Sequence, residues 1–369
     1  MTVTDSKAQP PAPSPAVAEA MAGLMNCFNP ALPPQVLMMN LSGAAMLMSR
    51  CVYIAARLGL ADLLAQGPRS LEDLARETGS HPNALFRVMC TLESMGVFAR
   101  EGERVFRNGP LAEGLRSDVP GSARNWALFA GSEWLWGLFG KMHGTLKSGV
   151  NVFDDQLKTP MFQWIEQHPE ASRDFNNAMT SMSDLTSMVV VQGLDFSGVR
   201  TVVDVGGGAG MLLSAVLRSN PGLKGTLYEL PKVIEEARSK GLLSEFEKAG
   251  RCELASGDLF KTQPAGLDAY LMKWILHDWS DEQVKHILSV TRQAAGGPGK
   301  KLFIVELVVD PVPQKALDAR LFDIAMLVMQ EGRERSEQEF RGLLAASGFE
   351  LKRVLPTQSP YSILEAVSV

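Results

Sequence analysis

From Pro34 to about Asp184, apolar residues recur at three- and four-residue spacing, which predicts helices that each bury one face. Within this stretch Ser70 is placed to cap a helix, LEDLARETG, with Asp73 at the capping-box position and Gly79 at its end. His81-Pro82-Asn83 opens a second helix, ALFRVMCTLESMG, that stops at Gly96. VFAREGERVFRN then reads as two short strands about a turn at Glu101-Gly102-Glu103. Helix, turn, helix and hairpin together predict a winged-helix arrangement. From Val199 the pattern changes: the strand TVVDV, the helix AGMLLSAVLRSN, the strand KGTLYEL and the helix PKVIEEARSK follow one another. RCELASGDLF, LDAYLMKWIL, a helix from Asp281 and KLFIVELVV continue the alternation. Strands alternating with helices predict an α/β fold, a Rossmann-like doubly wound sheet with helices on both faces. ELKRVLPTQSPYSILEAVSV closes the chain as an antiparallel edge hairpin.

Composition narrows the classes of function. The 369 residues, 46% hydrophobic and 21% charged, suffice for two packed domains. A net charge of −5 argues against a nucleic-acid partner, and the second helix of the winged-helix module carries Arg87 as its one cation, offset by Glu93. The module therefore reads as a platform for packing and dimerisation. Cys27, Cys51, Cys90 and Cys252 form no CxxC pair, as expected of reduced thiols in a cytoplasmic protein. The start, MTVTDSKAQPPAPSPA, lacks the charged and apolar regions of a secretory signal, and residues 1–20 read as a disordered lead-in. Val36 to Ala56 is strongly apolar, but Asn40, Ser42, Ser49 and Arg50 interrupt it, which suits an interface helix better than a membrane span.

The chemistry concentrates at strand ends. Asp204-Val205-Gly206-Gly207-Gly208-Ala209-Gly210 links the first strand of the sheet to its helix. Glycines there let the backbone turn tightly and let a ligand approach with no Cβ in the way. The spacing is GxGxG rather than the nicotinamide-binding GxGxxG, whose third glycine would fall at Met211. Glu229, followed by Leu230, ends the second strand and can accept both hydroxyl protons of a ribose. Gly257-Asp258-Leu259 follows the third: the acid can accept from an adenine amino group and the leucine can pack on the ring. In this order the three features point to an adenosine with a small charged appendage.

The fourth strand ends in Lys273-Trp274-Ile275-Leu276-His277-Asp278-Trp279-Ser280-Asp281. With DVGGGAG, YELP, GDLF and the later GRERSEQEF, it makes the chain resemble the plant-type small-molecule O-methyltransferases over about Leu37 to Val367. Members of that family usually carry threonine where Ser336 stands, often glycine where Glu331 stands and commonly aspartate where Glu229 stands.

The resemblance implies S-adenosyl-L-methionine as cofactor and S-adenosyl-L-homocysteine as product. The cofactor would be held by Asp204, Gly206, Gly207, Gly208 and Gly210, by Glu229 and Leu230, by Gly257, Asp258 and Leu259, and by Lys273 and Trp274. His277 matches the family's general base, and Glu306 and Glu334 the carboxylates that flank it; which of the two holds the ring stays open. Trp134, Phe175, Met179, Met326 and Met329 would line a pocket for a small aromatic or polyketide-type acceptor. No group of residues has metal-ligand spacing, so no metal is expected. The domain reading is a winged-helix dimerisation domain at 21–115, a helical linker with acceptor-pocket residues at 116–190, and a catalytic domain at 191–369. Two alternatives stay open: an enzyme of the same fold that uses the cofactor structurally for another reaction, and a ligand-responsive winged-helix regulator.

Overall fold

The computed structural model describes residues 14–369, which separate into two units: one up to Gly137 with Pro169–Leu185, the other Leu138–His168 with Thr186–Val369. The stretch read as a linker is thus divided between them. Most of the expected lead-in lies outside the described residues, and its last part, Pro15–Ala20, is a short helix capped by Ser14.

In the first unit, helix α1 (Ala45–Leu58) ends at Gly59 in the left-handed conformation. Helix α2 (Leu71–Thr78) starts at Ser70, whose hydroxyl accepts from the Asp73 N–H, and ends at left-handed Gly79, as its capping pattern predicts. Helix α3 (Pro82–Ser94) follows. Strand β1 (Arg69–Ser70) pairs with β3 (Val105–Asn108), which pairs in turn with β2 (Phe98–Arg100), so the expected hairpin gains a third strand. Leu60, Leu71, Leu74, Met89, Leu92 and Phe106 have no exposed surface and form the core of this unit. Burial of each such side chain is worth roughly 1.5–3 kcal/mol. The continuous helical stretch Pro34–Leu58 is the one described segment long and apolar enough to cross a membrane, and Met38, Met39, Leu41 and Leu47 along it are exposed.

The second unit is built on one mixed sheet. Strands β4 (Thr201–Val205), β5 (Lys224–Glu229), β6 (Cys252–Ser256), β7 (Ala269–Lys273) and β8 (Lys301–Val309) run parallel. Strand β9 (Arg335–Ser336) is a short parallel addition to β8. Strands β10 (Phe349–Pro356) and β11 (Tyr361–Ser368) form the expected antiparallel hairpin, with β11 inserted beside β8. The order is β10-β11-β8-β7-β4-β5-β6. From β4 the chain steps outward to β5 and β6, then returns to the other side for β7 and β8. The crevice at the carboxyl ends of β4 and β7 is therefore the topological switch point, where open α/β sheets bind ligands.

Central strands covered on both faces read as unbroken apolar runs, and β8 does so after Lys301 except for Glu306, which has no exposed surface. A carboxylate there is costly unless it is satisfied. Helix α4 (Asp281–Ala295) follows β7 and is capped by Ser280, with Gln283 completing a capping box. Helix α5 (Leu317–Met329) precedes β9, and Ser336 and Glu339 form a second capping box on helix α6 (Glu337–Ala346). Serine keeps the hydroxyl on which this cap depends.

Candidate active site

The loop after β4 adopts the conformation its glycines allow. Gly206, Gly208 and Gly210 have φ of +70°, +57° and +84°, values that favour glycine. A Cβ on Gly206 would strike Ile275, and one on Gly207 would strike the Asp204 carboxylate and Leu227. At Gly208 nothing lies within 4 Å, so the loop's backbone faces open space there. Glu229 grips this loop: its Oε1 accepts from the Gly208 N–H at 3.1 Å and its Oε2 from the Leu230 N–H at 2.8 Å. Leu230 is itself exposed. Asp204 is buried beneath the loop, and neither of its carboxylate oxygens has a hydrogen-bond partner. Burial raises its pKa to about 7, against the pull of Lys273.

On the far side of β5, Gly257 packs so closely on Tyr228 that a side chain would overlap the phenol ring. Asp258 accepts from the Phe260 N–H at 3.0 Å and pairs with Lys261 at 3.1 Å. The Phe260 N–H bond, with Lys261, holds its carboxyl below the usual range. Leu259 packs against the sheet core beside Phe260, whose ring meets Trp279 edge-on at 4.7 Å.

At the end of β7, Trp274 holds φ +58°, uncommon for a residue with a Cβ and a form of strain that clusters at functional sites. Its ring lies 3.5 Å from the Lys273 ammonium and 5.0 Å from the Tyr361 ring, and its buried Nε1 has no hydrogen-bond partner. Burial pulls Lys273 down to about 8, with Asp204 and Glu306 opposing.

The one-turn 3₁₀ helix that follows, Leu276–Asp278, carries His277, whose side chain is 15% exposed. Its Nδ1–H donates to Glu334 Oε1 at 2.9 Å, while Glu306 Oε2 stands 3.8 Å from the same nitrogen. Glu306 instead holds the backbone, where its Oε1 accepts from the N–H groups of Ile275 and Leu276 at 3.1 and 2.9 Å. These two bonds accommodate a carboxylate within β8. Asp278 has Oδ1 3.7 Å from His277 Nε2 and accepts from Gln330 at 3.4 Å. Burial alone would push the imidazole pKa down; Glu306, Asp278 and Glu334 reverse this and hold it up at about 10. Burial lifts Glu306 to about 7 and Asp278 to about 6, in both cases against His277.

His277, Glu306 and Glu334 each offer one ligand atom within 4.8 Å of the others, a spacing that a metal ion would also accept and that sequence separation conceals. Within the cluster, His277 Nδ1 and Glu334 Oε1 are hydrogen-bonded to each other.

The residues expected to line an acceptor pocket fall into both units. In the first, Phe129 packs on Trp134 at 5.6 Å and on Phe175 at 5.9 Å, and Met179 is half-buried one helical turn after Phe175. In the second, Met326 and Met329 are buried on α5. Sequence reasoning missed Arg335, Tyr361 and Gln330. Arg335 was readable only as one more charge in GRERS, and Tyr361 arrives from the inserted strand β11.

A glycine cradle beside a buried histidine–carboxylate pair, both at the switch point, is the architecture of a Rossmann-like methyltransferase. Residues 139–350 match the O-methyltransferase domain, and residues 39–118 the O-methyltransferase dimerisation domain. A phenazine O-methyltransferase from Lysobacter antibioticus is 40% identical over 318 residues, covering 86% of this chain and 92% of that protein. A mitomycin biosynthesis 6-O-methyltransferase from Streptomyces lavendulae is 38% identical over 319 residues, 86% of this chain and 90% of its own. The solved structure of an O-methyltransferase from neocarzinostatin biosynthesis, in complex with S-adenosylmethionine and 2-hydroxy-5-methyl naphthoic acid, superposes with a TM-score of 0.71. It is 28% identical, covering 87% of this chain and 96% of that one. The chain belongs to the O-methyltransferase family, its cofactor is S-adenosylmethionine, and its N-terminal region is the family's dimerisation domain.

Proposed function

We propose that this enzyme methylates a hydroxyl of a small, planar, polycyclic aromatic natural product, with His277 as general base. The observation that carries the reading is the Nδ1–H···Oε1 bond from His277 to Glu334, which in the neutral ring leaves Nε2 as the basic nitrogen. S-adenosylmethionine, when bound, supplies an activated methyl group and one positive charge. The chain's own residues do the rest. The open backbone at Gly208, the Glu229 carboxylate with lone pairs to spare, the unpaired Asp204 and the orphaned Trp274 Nε1 fit a polar nucleoside cofactor. Asp258 and Leu259 serve the adenine, and Lys273, its ammonium on the Trp274 ring, sets a positive charge near Asp204. His277 Nε2 takes the proton of the acceptor hydroxyl as the oxygen attacks, and Glu334 stabilises the imidazolium that forms. Positioning of this kind is worth up to about 7–11 kcal/mol, and the base a further roughly 10²–10⁴-fold. The histidine–carboxylate cluster acts here as a proton-handling device and not as a metal centre.

The acceptor class rests on the phenazine, mitomycin and naphthoic acid named for the relatives, together with Met326 and Met329, buried in the unit that carries His277. Met linings adapt to planar ligands through polarizable contacts. We read the protein as a cytoplasmic homodimer that contacts neither nucleic acid nor membrane. The apolar helical stretch beginning at Pro34 runs into the matched dimerisation segment, so its exposed methionines and leucines have a partner copy to cover them. The test is a mass-spectrometric screen of hydroxylated phenazines, quinones and naphthoates with S-adenosylmethionine. A methyl-sized mass gain with equimolar S-adenosylhomocysteine is expected. Product formed without S-adenosylhomocysteine would move the enzyme to the non-methylating alternative.

A further inference from the structure

The turn that bears His277 is weakly self-supporting. Its own closing bonds, Asp278 N–H to Ile275 and Trp279 N–H to Leu276, are both 3.3 Å long. A general base must nevertheless be held to a fraction of an ångström, since a 1 Å misplacement can cost roughly 100-fold. The restraint comes from two distant stretches of chain. Glu306 takes the two N–H groups entering the turn, and Arg335 takes two carbonyls, one just before His277 and one just after Asp278. Arg335 is fully buried. It donates to the Leu276 carbonyl at 2.9 Å and to the Trp279 carbonyl at 2.7 Å, and its Nε bonds Asp281 at 2.9 Å. A planar guanidinium fork can span both ends of such a turn; a lysine ammonium, a single point of charge, cannot.

The neighbours of Arg335 extend the same grip. A side chain at Gly332 would overlap the His277 carbonyl, so this segment lies directly against the turn's backbone. Arg333 pairs with Asp281 at 2.9 Å, and Glu334 holds the His277 ring. The exposed side chain at Glu331 explains why that position tolerates a residue other than glycine: Gly332 is the one that must be small.

We propose that Arg335 is a positioning residue for His277, its buried fork on the Leu276 and Trp279 carbonyls and on Asp281 fixing the general base in the frame that also carries its Glu334 partner. The proposal rests on the reading of His277 as the base, and the test separates the two. R335K keeps the charge and loses the fork. D281N, at a half-exposed position, keeps the size of the side chain and weakens the anchor of the fork. R335K is expected to lower kcat about 10–100-fold and D281N about 3–10-fold, with acceptor KM and S-adenosylhomocysteine Kd within about twofold of wild type. The pH–kcat profile and the His277 Nδ1 proton resonance should shift in both variants. If R335K does not fold, D281N carries the test alone. In an H277Q background both effects should vanish, because the group being positioned is gone. Full, additive effects in H277Q, or wild-type kcat and resonance in folded D281N, overturn the proposal. An H277Q single variant with wild-type turnover would instead overturn the reading of the base itself.

Discussion

His277 and Glu334, 57 residues apart, meet at 2.9 Å, and the contact uses Nδ1 and leaves Nε2 outside it. Glu306, at 3.8 Å from the same nitrogen, is committed to the backbone of Ile275 and Leu276. Two carboxylates that look equivalent in the sequence therefore divide the work: one orients the ring, the other the chain that carries it.

The central consequence is that H277Q should keep cofactor affinity while turnover falls by roughly 10²–10⁴. The loss should shrink for acceptors acidic enough to be ionised at the assay pH and persist for weakly acidic hydroxyls. The ratio of wild-type to mutant rates across acceptors of graded pKa measures this, and a flat ratio would mean that His277 only packs.

Glu334→Gln and Glu306→Gln should differ in kind. Glu334→Gln removes a charge-assisted partner of the ring, worth about 1.5–3 kcal/mol, and should lower kcat by roughly 10–100-fold while moving its pH dependence. Glu306→Gln keeps an oxygen for the two N–H groups but changes the buried charge, so its main expected effect is on thermal stability. Paired kcat and melting measurements check the contrast; identical profiles would count against the division of roles.

The pH behaviour has a definite sign. His277, held near pKa 10 against an ordinary value of 6.5, is protonated at neutral pH and becomes a base only as its proton leaves. A cation bound beside it favours the neutral ring. Binding of S-adenosylmethionine should therefore release a proton and tighten as pH rises toward about 10, and S-adenosylhomocysteine, neutral at sulfur, should release less. Calorimetry in buffers of different ionisation enthalpy counts the protons. Equal counts for the two would refute this.

On the cofactor side, Asp258→Ala and Glu229→Ala should each weaken binding by roughly 1–3 kcal/mol, the range for losing a hydrogen-bond partner in a protected site. Glu229→Ala should be the more severe, because it also frees the Gly208 N–H and loosens the loop. Unchanged affinity in both variants by calorimetry would remove these residues from the cofactor site.

For assembly, light scattering should report a dimer at micromolar concentration, with an interface burying well over roughly 2,000 Å². Met39→Glu combined with Leu47→Glu places charge on side chains that are 70% and 60% exposed in one copy, and should yield monomers. A wild-type monomer would end the dimer reading.

Local sequence determined much of this protein because its signals act over a few residues. TVVDV and KLFIVELVV occupy the spans their patterns predict, the helix expected from Asp281 starts there, and Ser70 and Gly79 bound their helix as their chemistry requires. The glycine spacing announced the cradle, since only backbone freedom is needed to read it. What periodicity could not supply was distance between elements. The choice of Glu334 over Glu306 as ring partner, the approach of Asp278 to Nε2 and the place of Tyr361 beside Trp274 depend on β9 joining β8 and on β11 being inserted antiparallel next to it. Arg335 is the clearest case: a charged residue in a polar run reads as solvated, and only packing against Leu276, Trp279 and Asp281 makes it buried and fully bonded. Burial and pairing of charge are properties of the assembled sheet, and they decide which of several similar side chains does the chemistry.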